Sequence, residues 1–299
     1  MRNASRWLMP VGGLPMRQER EHGLMQAVEE PDIERDDLYL LLDSAALPAL
    51  QIIYQHDDEP HLELLYRGTR HESMRECSPV LYSLAGQHLM WQNRERWQSA
   101  GLLLESAASI DDLANHLRSL LSVRLPSGDL AFCRFYDPAL SERFFDSLTQ
   151  EELGAWLGPI SGIWLTTEQS EWRGFTTNQI SLSRTADDEG WFALRPEHLA
   201  HWQQQERQRF IQRLISHFSA DNFHEKSIPE LEAVVKQRVH EAEAFGIEAE
   251  RHLFAYVELA LQFPDAIDSP EVRTGLTDKE EPAEHRLARI EASLLGLHG

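Results

Sequence analysis

The chain is short of cysteine: two thiols, Cys77 and Cys133, in 299 residues. They carry no CxxC spacing and are too few for a disulfide scaffold, so the fold must rest on its core. Long apolar runs are also missing. No segment approaches the roughly 20 residues of a membrane span. The N-terminal MRNASRWLMPVGGLPM has no stretch long enough for a signal-peptide core. Basic residues are scarce, with 28 Lys and Arg against 49 Asp and Glu, a net charge of −21. That balance disfavours nucleic acid and anionic membrane, since both need compensating cations. It favours solubility and, where charge matters, a basic protein partner. Catalytic motifs are absent as well: no GxxxxGKS/T or GxGxxG phosphate loop, no HExxH and no GxSxG elbow occur. The expectation is a soluble cytoplasmic protein with no cofactor.

What is present is enough apolar content, 42%, for a sizeable core. The best-specified stretch is Gly101 to Leu140. Gly101 to Glu105 reads as an apolar strand. Ser109 is an N-cap followed by Asp111 and Asp112 in the first helical turn. Leu113, Leu117, Leu120 and Leu121 share one helical face. Pro126 to Asp129 is a turn, with Gly128 free to take positive φ. Leu130 to Tyr136 reads as a strand containing a buried Cys133. Asp137 then caps a helix that opens on Pro138.

The rest of the chain orders itself around this stretch. Residues 1–36 are poor in pattern and read as an arm. Leu38 to Leu42 is a continuous apolar run, a strand buried on both faces. A helix over about 45–54 follows, with Leu47, Leu50, Ile53 and Tyr54 inward. His61 to Tyr66 and Val80 to Leu84 read as strands, Thr69 to Glu76 as a short helix, and Gln87 to Gln98 as a helix. Thr149 and Glu152 form a capping box for Gln150 to Leu157, which Gly158-Pro159 ends. Ile160 to Thr166, Glu171 to Phe175, Gln179 to Ser183 and Trp191 to Ala193 complete the strand candidates. From Pro196 the pattern is helical, over 196–219, 228–244, 248–263 and 282–295. The fold class is α+β or α/β: a mixed-sheet lobe with flanking helices over 37–195, then an all-helical lobe over 196–299.

The chemistry-bearing residues are few. Asp43, Glu105 and Asp137 each end an apolar run. In an open α/β sheet such positions line the ligand crevice, so together they define an enzyme alternative, metal-dependent or acid–base. The plainer reading has Asp137 as a helix cap, Asp43 and Glu105 solvated at strand ends, and Ser44 as an N-cap. Arg134 within a strand calls for a carboxylate partner. His198 and His201 share a helical face, but without further ligands they read as solvated. Trp156, Trp164, Trp172, Trp191 and Trp202 gather in sequence around the change of character near 196, a place for core packing or for a partner groove.

LYLLLDSAA at 38–46, LYRGT at 65–69, SPVLYSL at 78–84, the run from 99 to 140 and LGPI at 157–160 resemble the N-terminal half of the type VI secretion adaptor-chaperones. The N-terminal domain of that family was first catalogued as a domain of unknown function. The most specific elements are HLR at 116–118, LPSGD at 125–129 and RFYDP at 134–138. The resemblance spans about 37–165. The family often carries Arg or another polar residue after the DP pair, and here that position is Ala139.

The resemblance implies a non-enzymatic cytoplasmic adaptor, a monomer when free. Such a protein binds a secreted effector and helps load it onto the spike protein of the secretion tube. The signature or partner-binding residues it implies are His116, Arg118, Arg134, Tyr136, Asp137 and Pro138. The aromatic composition adds Trp164, Trp191 and Trp202. A structural baseplate subunit is the other non-enzymatic alternative.

Overall fold

A computed structural model describes residues 35–167, 170–178, 180–220, 227–278 and 280–296. Most of the arm expected over 1–36 lies outside these residues. The fold is α+β: a sheet region with flanking helices is followed by a helical region. The described chain divides into two compact units, and the division falls at Trp202–Gln203, within one continuous helix.

In the first unit, six strands form one sheet. They are β1 (Leu38–Leu42), β2 (Leu62–Leu64), β3 (Val80–Ser83), β4 (Gly101–Ser106), β7 (Ile160–Thr166) and β8 (Trp172–Thr176), in the order β2-β3-β1-β4-β7-β8. Every ladder in this sheet is antiparallel. A separate hairpin pairs β5 (Ser122–Arg124) with β6 (Leu130–Phe132), and Arg124 makes a lone parallel bridge to Ala193.

The pleat of β1 explains its unbroken run of apolar residues. Tyr39 and Leu41 enter one core cluster and Leu38, Leu40 and Leu42 another, so successive side chains serve opposite faces. β4 divides in the same way, Leu102 and Leu104 against Leu103. One face is covered by α3 (Ile110–Ser119), α4 (Pro138–Ser147) and α5 (Gln150–Leu157), through Leu113, Leu117, Phe144 and Trp156. The other is covered by α1 (Ala49–Tyr54) and α2 (His88–Gln92), through Ile52, Ile53, Met90 and Trp91.

Several boundaries differ from the sequence reading. The helix expected from Ala45 begins at Ala49, because Pro48 disfavours helical geometry at Leu47. Its buried positions are therefore Ala49, Ile52 and Ile53, while Leu50 and Tyr54 are exposed. Ser44 caps nothing there; the Asp43 carboxylate accepts the Ala45 N–H instead. The helix expected over Gln87–Gln98 breaks at Asn93, whose side-chain amide donates to the Leu89 carbonyl and competes with the ladder. Gln179–Ser183 forms no strand where it is described, and Trp191–Ala193 reduces to the single bridge. The strand expected over Leu130–Tyr136 stops at Phe132, since the Asp137 N–H bonds back to the Arg134 carbonyl in a turn. Cys133 lies just beyond that strand, and burial pushes its thiol up to about 12.

The second unit is helical. It holds the greater part of α6 (Pro196–Ala220), then α7 (Ile228–Ala244), α8 (Glu250–Gln262), α9 (Pro270–Thr277) and α10 (Ala283–Leu294). Phe218, Val235, Val239, Ile247, Val257 and Leu276 form its core. Gly246, at φ +73°, turns the chain after α7. Arg286 is buried there and donates to the Phe245 and Leu276 carbonyls. Arg238 holds Asp268 with two 2.8 Å hydrogen bonds.

Candidate functional site

The RFYDP segment forms a knot at one end of β1. Arg134 donates to Asp43, whose side chain is only 1% exposed. That carboxylate holds the guanidinium even more firmly protonated than usual. The solvated Asp43 of the sequence reading is thus a buried partner, and Arg134 has the carboxylate its position required. The Tyr136 hydroxyl meets that of Tyr66 at 2.7 Å, and burial raises both phenols. Asp137 accepts from the Ala139 and Leu140 N–H groups as the cap of α4, and Pro138 opens that helix. Tyr136 and Pro138 are buried, whereas the Arg134 side chain stays 44% exposed.

HLR performs two separate ties. His116 is fully buried; its Nε2–H donates to the Trp156 carbonyl at 2.9 Å, and its Nδ1 accepts the Arg184 N–H at 3.2 Å. Desolvation lowers its pKa to about 4, so the ring is neutral at pH 7. Arg118 donates to Glu63 at 2.7 Å and to the Leu64 and Leu65 carbonyls. It therefore fastens α3 to the edge strand β2.

The tryptophans split between the two faces of the sheet. Trp156 contacts Trp191 and, through Phe144, lies near Trp202. Trp164 and Trp172 pack in the opposite cluster, where Trp172 stacks on Trp91. Trp164 is buried; Trp191 and Trp202 are partly buried. The five do not form one cluster. Of the expected partner-binding set, then, Arg134 offers the most exposed side chain, and the remainder mainly tie the fold together.

The acidic trio divides: Asp43 and Asp137 both face the Arg134 guanidinium, Asp137 at 4.0 Å, whereas Glu105 stands apart. β1 and β4 run antiparallel, with Leu38 opposite Glu105 and Leu42 opposite Gly101. At about 3.4 Å per residue this places Asp43 and Glu105 about 17 Å apart along the strands, beyond the reach of a shared ligand. Glu105 pairs with Arg35 and accepts from Ser161. Among the described residues no group of three His, Cys, Asp or Glu is arranged to hold a metal ion. His198 is buried, not solvated, and sits 3.4 Å from Glu152, which also pairs with Arg195 at 2.7 Å.

Sequence reasoning missed two features. The first is Glu189, whose carboxylate collects Arg70, His71 and Ser122. The second is the surface around Ile180 and Leu182, 57% and 92% exposed. Their alternation with Ser181 and Ser183 was legible but reads equally as a strand. They border a groove of about 640 Å³ with Glu151, Gly154, Ala155, Arg184 and Asp188.

Residues 38–155 match the family model for a domain of unknown function, DUF4123. The chain is 31% identical over 150 residues to accessory protein VasW of Vibrio cholerae serotype O1 (strain ATCC 39315 / El Tor Inaba N16961). The match covers 50% of this chain and 50% of the relative, so the chain spans about half the length of the curated relative it matches. No solved structure matches.

Proposed function

We propose, from the match of residues 38–155 to the DUF4123 family model, that this protein is a non-enzymatic adaptor-chaperone of a type VI secretion system. It acts in the cytoplasm, binds a secreted effector and helps present it to the spike protein of the secretion tube. The observation that carries this reading is the family match together with the similarity to an accessory protein. The HLR, LPSGD and RFYDP elements support it at residue level, because they lie within the matched span. The three-carboxylate form of the enzyme alternative is disfavoured, since Glu105 stands at the opposite end of the antiparallel strands from Asp43, and the Asp43 and Asp137 carboxylates both face Arg134.

In this reading the first unit is the shared scaffold and the helical second unit contributes to client choice. Arg134, Asp137, Trp191 and Trp202 are the members of the expected set that retain surface for a partner. The free protein is a monomer. The test is co-expression with the effector and spike proteins encoded beside it, followed by affinity purification at mild salt. The expected result is retention of the effector, alone or with the spike protein. Retention of neither overturns the reading.

A further inference from the structure

The groove beside Leu182 offers apolar contact and negative charge in a fixed frame. Ile180 and Leu182 belong to a segment outside any strand or helix that is pinned at Ser181 and Arg184. The Ser181 N–H donates to the Gly158 carbonyl at 2.9 Å, and the Arg184 N–H to His116 Nδ1 at 3.2 Å. The segment therefore does not need to order itself when something binds, which lowers the cost of association. Gly154 and Ala155 of α5 form the facing wall, and small side chains there leave the volume of about 640 Å³ open. That volume lies within the roughly 300–1,000 Å³ typical of ligand sites.

The charges around the groove select its occupant. Glu151 is exposed and makes no ion pair among the described residues. Asp188 accepts from the Thr185 N–H and hydroxyl, and these bonds, together with the nearby Arg184 charge, hold its carboxyl below the usual range and so ionised. Arg184 is the cation lining the groove, and its guanidinium lies 3.7 Å over the Trp191 ring, turned to an aromatic face. Two carboxylates, Glu151 and Asp188, against the single Arg184 guanidinium leave the groove with a negative balance, in a chain of net charge −21.

We propose that this groove is the docking site for an extended segment of a partner protein that alternates apolar residues with polar ones and carries Lys or Arg at its ends. The apolar residues would cover Ile180 and Leu182, and the cations would meet Glu151 and Asp188. This assignment rests on the adaptor reading and names the chemistry of one client contact.

The test uses the full chain co-expressed with the client encoded beside it, with benzoylphenylalanine at position 182 or, as control, at exposed position 50 of α1. Irradiation is expected to give an adduct from position 182 alone, mapping by mass spectrometry to a Lys- or Arg-flanked apolar segment of the client. In parallel, Ile180→Ser with Leu182→Ser should weaken client affinity about tenfold, the scale of losing an interface anchor. Glu151→Lys should weaken it and reduce its salt dependence. Circular dichroism confirms that each variant folds.

An adduct to residues 1–34 of the same chain, to a second copy or to an acidic segment overturns the proposal. So does unchanged affinity in the folded serine variant. If the client is retained but position 182 gives no adduct, the groove assignment alone fails. If the unsubstituted chain retains no client, the adaptor reading fails and this inference with it.

Discussion

His116 is a histidine with no freedom left. Both ring nitrogens are engaged with backbone groups 40 and 68 residues away in sequence, so protonation removes the acceptor that Arg184 needs. The folded state holds the ring's pKa near 4 against 6.5 when unfolded. Between these values the unfolded chain binds more protons, so stability is full above about pH 6.5 and falls as pH drops towards 4. The shift corresponds to about 3 kcal/mol at most, at ~1.4 kcal/mol per pH unit. Urea unfolding at pH 7.5, 5.5 and 4.5 should show the loss, and a folded His116→Gln variant should show a shallower one. Gly158 lies against the same ring. It sits at φ +59°, and a Cβ there would lie 2.3 Å from His116 Cε1. Gly158→Ala should therefore destabilise by about 2–4 kcal/mol, combining overpacking with backbone strain. A drop in the urea midpoint of that size is the check.

At the scale of elements, α4 depends on its cap. Asp137→Ala should cost about 1 kcal/mol, read as a lower thermal midpoint; unchanged stability with lost client binding would make Asp137 a contact residue instead. This cap was legible, as were Ser109 for α3 and the Thr149–Glu152 box for α5, because caps are written within four residues of sequence. β1, β4 and β7 were legible from their apolar runs. Strand direction was not. Nothing local in Leu38–Leu42 or Gly101–Ser106 says that they run antiparallel, and that fact separates Asp43 from Glu105. Two short elements also escaped. β5 is three residues long, and α9 carries Gly275 in its interior, which weakens its pattern despite Ser269 and Pro270 at its start. The candidate site was half legible. Arg134 announced its need for an acid, but its partner Asp43 lies 91 residues away. The groove at Ile180 was hidden because exposed alternation looks the same on a strand and on an irregular segment.

For the whole molecule, charge sets the solution behaviour. With a net charge of −21 and an isoelectric point near 5.0, solubility should fall steeply between pH 6 and 5 as self-repulsion vanishes. The His116 loss falls in the same range, so aggregation on acidification should exceed what charge alone produces. Turbidity of the Gly158→Ala variant, already destabilised, should rise at a higher pH than that of the parent chain.

Arg118 has a consequence of a different kind. β2 ends the sheet, and its Leu64 carbonyl points away from β3, towards the place where a further strand would bond. The Arg118 guanidinium occupies that carbonyl at 3.1 Å. A second molecule trying to extend the sheet there would meet a cation where it needs an acceptor. The side chain that fastens α3 to β2 thus also blocks chain-to-chain polymerisation from that end of the sheet, which matters for a protein expected to spend time without its client.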